Sequence, residues 1–227
     1  MGGLATTLLV VALAFWGISP ASANVDSGTE LRAVSGAKAE AKLELAVAAL
    51  ADGGLVIHSS EGALATADAS IYSIGTAKGE FTSVTIPVQD DYSLLSNFTI
   101  VFDNTENIAQ YSEMLVTKNE ANNFNITSYS DGSLVSSQDT DVAFVSDAEM
   151  KNSLENTGGV STMAKNTGAC LGTVLGVGGV TGALIAWACA GSCAAAAIGV
   201  GVPFCVACIA AYATIGGASI TAVASCF

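Results

Sequence analysis

Between residues 55 and 145 the chain alternates. Phe98, Ile100 and Phe102 are apolar with Thr99 between the first two, and Phe124 and Ile126 alternate with Asn125 and Thr127. A period of two sends successive side chains to opposite faces, so this pattern predicts a sheet with one dry and one wet face. Runs rich in Thr, Ile, Val, Tyr and Phe predict strands at 70–74, 80–88, 97–102, 108–118, 122–129 and 134–138. Asp103-Asn104, Lys118-Asn119 and Asp131-Gly132 fall between them as turns, the last being a strong two-residue hairpin signal. The expected arrangement is an antiparallel meander with a helix on its dry face.

That helix comes from the stretch before the strands. Ala, Glu, Lys and Leu dominate residues 37–50, Leu43, Val47 and Leu50 recur at helical spacing, and Gly53-Gly54 ends the run. Residues 150–169 lack a period, are small and polar, and include Gly158-Gly159. They read as an exposed linker open to a protease. Residues 170–227 are apolar nearly throughout, with Gly199-Val200-Gly201-Val202-Pro203 as a chain reversal in the middle.

Charge sharpens this division. All 20 acidic and 7 basic residues lie between Asp26 and Lys165, and from Asn166 onward there is no charged side chain. A net charge of −13 argues against nucleic acid as a partner and against electrostatic docking to anionic lipid. The chain opens with an apolar run from Leu4 to Trp16, broken by Pro20 and followed by Ala21-Ser22-Ala23. This predicts an export signal cut between Ala23 and Asn24, although no Lys or Arg precedes the run. Export implies an oxidising compartment, where an even number of cysteines favours disulfides over metal.

All 6 cysteines lie in the charge-free segment: Cys170, Cys189, Cys193, Cys205, Cys208 and Cys226. They are nearly symmetric about the reversal, so two antiparallel helices would bring together Cys170–Cys226, Cys189–Cys208 and Cys193–Cys205. Cys189 and Cys193 share a helix face, as do Cys205 and Cys208. The nested pairing is favoured, and bonds within each local pair are its rival. Cys205-Val206-Ala207-Cys208 matches a redox or zinc pattern, but no thioredoxin-like setting surrounds it and the compartment favours a structural role.

Other candidates are weaker. His58 is the single histidine, which leaves no His cluster for metal, and it reads as a strand-surface residue. Asp90-Asp91 reads as a solvated turn rather than a calcium loop. Asn97-Phe98-Thr99 and Asn125-Ile126-Thr127 match the N-glycosylation pattern. Trp187 and Tyr212 read equally as interfacial anchors or as core. No nucleophile–base set, phosphate loop or paired carboxylates emerges, so no enzyme and no cofactor or metal is expected.

The cysteine run from Cys170 to Cys226, with its Cys189-x3-Cys193 and Cys205-x2-Cys208 pairs, resembles the C-terminal peptide of halocin C8-like bacteriocin precursors. Residues 92–141, including Phe98-Thr99-Ile100-Val101-Phe102-Asp103 and Gln110-Tyr111-Ser112-Glu113, resemble the pro-regions of the bacterial members. The chain departs from the archaeal members in having no twin-arginine signal. The resemblance implies a secreted precursor whose C-terminal peptide is released as an antimicrobial. Its partners would be a target-cell membrane or membrane receptor, its own pro-region and a processing protease.

The expected organisation is a signal at 1–23, a helical segment at 24–54, a β-rich acidic pro-region with a carrier or immunity role at 55–149, a linker at 150–169 and the antimicrobial peptide at 170–227. The expected fold class is α+β: an antiparallel β-rich pro-domain followed by a small all-α, disulfide-stapled helical hairpin. The alternative is an envelope protein anchored by a membrane-embedded C-terminal hairpin.

Overall fold

The strands form one antiparallel sheet in which each pairs with its sequence neighbours, in the order β1 to β7. The computed structural model describes residues 30–156, 179–196 and 202–216. The strands are β1 (Glu30–Ala33), β2 (Ser70–Thr76), β3 (Gly79–Pro87), β4 (Asn97–Phe102), β5 (Ile108–Lys118), β6 (Asn123–Ser130) and β7 (Ser133–Ala143). The helices are α1 (Ala37–Ala51), α2 (Asp147–Asn156), α3 (Gly179–Ala196) and α4 (Val202–Gly216). Short 3₁₀ turns at Glu61–Ala63 and Thr66–Asp68 punctuate the long α1–β2 connection.

Tight turns set the meander. Asp131 and Gly132 join β6 to β7 with φ of 48° and 73°, the left-handed pair of a two-residue hairpin. Asp131 also ties this turn to β5, because its backbone N–H donates to Tyr111 O and its carboxylate accepts from Tyr111 N. In the β4–β5 turn, Asp103 Oδ1 accepts from Thr105 N, Thr105 Oγ1 and Asn107 N, bonds that hold its carboxyl below the usual range.

The two faces of the sheet differ. One is built from Val84, Ile86, Phe98, Ile100, Phe102 and Leu115, covered by α1 through Leu43, Ala46 and Leu50. Val47, whose spacing suggested a place on that face, is exposed. The opposite face carries the C-terminal helices. α4 crosses β2, β3 and β4, and α3 lies against β6. Leu184, Ile185, Cys189, Ile209 and Tyr212 join one core cluster with Leu95, Met114, Val116, Phe124, Ile126 and Met150. Val206 and Ala207 join Ile74 and Val101 in a second.

This corrects the expected fold class. The chain is a seven-stranded antiparallel sheet bearing a few helices, not a β-rich domain followed by a free-standing all-α hairpin. The reason is burial. α3 and α4 have no charged residue and no polar stripe, and a helix apolar all round must be covered all round. No described position of α4 is exposed. Periodicity announces this need for cover without saying what supplies it; the sheet does. The stretch read as a linker also begins inside α2, whose Met150 is buried. The expected signal, cleavage site (Ala23, Asn24), processing site and Cys170–Cys226 bond lie outside the described residues.

Candidate functional site

Cross-strand register builds the surface beneath the helices. Ser70 stands opposite Thr85, Thr85 opposite Thr99, Thr99 opposite Ser112, Ser112 opposite Ser130, and Ser130 opposite Ser133. Directly opposed residues share a face, so these six form a hydroxyl ladder across six strands. Thr85 Oγ1 and Thr99 Oγ1 are 2.9 Å apart and both residues are buried. The apolar clusters lie on either side of the ladder: Met114, Val116, Phe124 and Ile126 on one, Ile74 and Val101 on the other. Ser83 lies between Tyr72 and Val101 in the register, and its Oγ is buried with no hydrogen-bond partner among the described residues. Burial of such a hydroxyl costs about 1–3 kcal/mol.

Disulfides join the helices above. Cys189 bonds Cys208 and Cys193 bonds Cys205. These are the two inner pairs of the nested arrangement, and they exclude the rival local pairing. Both bonds lie within the charge-free segment, so neither ties α3 or α4 covalently to the sheet. Disulfides are characteristic of an oxidising compartment. No helix among the described residues is long and apolar enough to cross a membrane.

Tyr212 and Trp187 part company. Tyr212 is buried, its hydroxyl 3.0 Å from Leu95 O, 3.0 Å from Asn97 Nδ2 and 3.2 Å from Met114 Sδ. Asn97 Nδ2 donates to that hydroxyl, and the hydroxyl donates to Leu95 O. Asn97 is thereby engaged beneath the helices, while Asn125 Nδ2 donates to Asp139 across the other face of the sheet. Trp187 is 48% exposed.

Burial pushes the Tyr212 phenol well above its ordinary value of 10.0. The neutral form is therefore preferred when docked, and the stability this brings is complete below pH 10 and lost as pH rises beyond it. We expect the C-terminal helices to loosen by about 1.4 kcal/mol per pH unit above 10. Tyr212→Phe removes this alkaline dependence and costs about 1–2 kcal/mol at neutral pH, through the lost bonds to Leu95 O and Asn97. Hydrogen exchange of α4 from pH 8 to 11, corrected for intrinsic rates, measures both. An unchanged alkaline slope in the variant would contradict the assignment.

The dry face holds a cluster that sequence reading missed. Glu113 is 2% exposed, and its two oxygens accept from His58 N (2.8 Å), Ser59 N (2.8 Å) and Ser59 Oγ (2.5 Å). His58 Nδ1 lies 3.2 Å from Glu113 Oε2, and its ring stacks on Tyr129 at 3.6 Å. Burial pushes the Tyr92 phenol up, with the charge of Glu113 adding to it. His58 thus sits on a loop against the sheet, not on a strand surface. Ser, His and acid meet here, but Ser59 and His58 both address Glu113 instead of each other, so the histidine is not placed to take the serine proton. The cluster pins the loop. Its signal in the sequence was the acid at an apolar-facing position between Tyr111 and Leu115.

Asp90 forms a turn with φ of 66°. Among the described residues no cluster of His, Cys, Asp and Glu could hold a metal ion. Comparison with protein-family models, curated proteins and solved structures gives no match for this chain.

Proposed function

We propose that the protein is a secreted precursor of a peptide bacteriocin, and not an enzyme. The acidic sheet domain carries the charge-free C-terminal segment in a water-soluble form. Cleavage after α2 frees that segment to act on the membranes of competing cells. One observation carries the reading: two cross-linked, charge-free helices lie on a sheet face crossed by a hydroxyl ladder.

Three physical arguments support it. All 6 cysteines lie at or beyond residue 170, so a backbone cut between residues 156 and 170 leaves only non-covalent contacts between sheet and helices. The ladder and Ser83 are hydroxyls that water would solvate once the helices leave, which lowers the cost of separation. α4 has no polar face, so outside the sheet's cover it partitions into an apolar medium, either lipid or a hydrophobic receptor surface. The absence of cationic residues leaves apolar area as the driving force for membrane entry.

Intact-mass analysis of the producing culture tests this. A fragment of about 6 kDa is expected in the medium, from roughly 60 light residues. With its cysteines oxidised, the fragment should inhibit related bacteria and release dye from lipid vesicles. Full-length protein held in the membrane fraction would instead favour an envelope anchor. A released fragment inert across a broad strain panel would sink the proposal.

A further inference from the structure

A cavity of about 230 Å³ lies between the cross-linked helices and the sheet. Its floor includes Gln110, Ser112, Ser128 and Ser136, and its roof includes Trp187 and Phe204. We propose that this cavity is a binding site for the ring of a neutral sugar, independently of whether the C-terminal segment is ever released.

The chemistry of the lining selects the ligand class. The hydroxyls of Ser112, Ser128 and Ser136 have no hydrogen-bond partner among the described residues, while Gln110 Nε2 lies 2.5 Å from Ser130 Oγ. Among the described residues Glu113 is the only acid or base in the lining, and its carboxylate is turned to His58 and Ser59 on the opposite side of the sheet. An ionic ligand would therefore find no counter-charge, whereas a polyhydroxylated neutral ring finds donors and acceptors of its own kind. The opposing wall is aromatic. Trp187 leaves nearly half its surface to solvent although the other positions of α3 whose burial is described are buried or half-buried, and an indole in that position offers a flat apolar face to the C–H side of a pyranose. The volume is below the roughly 300–1,000 Å³ of drug-sized sites, which limits the occupant to a single ring or the end residue of a glycan. The floor is built on paired strands β4 to β7, so it is preorganised.

Saturation-transfer NMR on the full chain with glucose, galactose, N-acetylglucosamine and glucuronate tests the proposal. At least one neutral sugar is expected to bind with millimolar affinity, and glucuronate more weakly than the neutral sugars. Trp187→Ala should weaken binding about tenfold through loss of the stacking face. Ser128→Ala should weaken it about fivefold through loss of one hydrogen bond, with an unchanged circular dichroism spectrum. Absence of transfer to every neutral sugar would mean that the cavity holds water alone and would overturn the assignment. Undiminished binding by Trp187→Ala, by Ser128→Ala, or of glucuronate would do the same.

Discussion

Glu113→Ala is expected to lower the unfolding free energy by about 3–5 kcal/mol, because a buried carboxylate is removed while its donors remain. His58 N, Ser59 N and Ser59 Oγ all donate to it now. None finds a second acceptor if the loop stays in place. The loop must either keep these donors dry and unpaired or peel away from β5 to reach water, exposing Leu55 and Ile57 from the apolar cluster they pack against. Glu113→Gln keeps one acceptor oxygen but turns an amide donor toward a backbone N–H. Its cost should be intermediate, at about 1–3 kcal/mol. Denaturant midpoints with unchanged slopes measure both losses, and hydrogen exchange at His58 and Ser59 locates them. A loss under about 1 kcal/mol for the alanine variant would show that water reaches those donors already.

Removing the Cys189–Cys208 disulfide, with Cys189→Ala and Cys208→Ala together, is expected to destabilise the C-terminal helices by about 3 kcal/mol. The bond spans a sequence separation of 19, and the inner Cys193–Cys205 bond, which spans 12, is nested inside it. Opening the outer loop therefore restores unfolded-state freedom that the inner bond does not restrain. Alanine, unlike serine, adds no buried hydroxyl at Cys189, which is fully buried. The loss should be local. The face of Val84, Ile86, Phe98, Ile100 and Phe102 has its own cover in α1, so β3 and β4 keep their exchange protection while α3 and α4 lose theirs. Parallel loss in sheet and helices would mean that the sheet cannot stand without its C-terminal cover, which would also count against the carrier role proposed for it.

The correction to the fold class follows from the same arrangement. The polar positions of the alternating strands were read as a wet face. In the structure β4 and β6 turn their polar positions to opposite faces: Thr99 of β4 lies under the apolar helices with the hydroxyl ladder, whereas in β6 it is Phe124 and Ile126 that meet the helices and Asn125 and Thr127 that lie on the other side. Alternation reports which residues share a face, not whether water or protein lies beyond it. Trp187 and Tyr212 make the point at single-residue scale. Both are amphipathic aromatics in charge-free helices, and local sequence treats them alike. Contact with Leu95 and Asn97, more than a hundred positions from Tyr212 in the chain, makes one a buried hydrogen-bonding core residue and leaves the other open.

Much was nonetheless legible locally. Strands β2 to β6 fall within two residues of where alternation and β-branched content put them, and the turn at Asp131-Gly132 is where a two-residue hairpin was expected. β1 was missed because a four-residue edge strand has too few positions to show a period. β7 runs five residues beyond expectation, through Asp139 and Asp141, because pairing with β6 outweighs the low strand propensity of aspartate.

The amino-acid order by itself determined the strand positions, the charge-free C-terminal segment and the symmetry of its inner cysteines, since each depends on near neighbours or on simple spacing. Tertiary structure alone decided that α3 and α4 rest on the sheet, that six hydroxyl residues align across six strands, and that Glu113 holds the loop carrying His58 and Ser59. These depend on register and burial between residues far apart in the chain, and the free energy of such contacts is set by the partner, which no local pattern names.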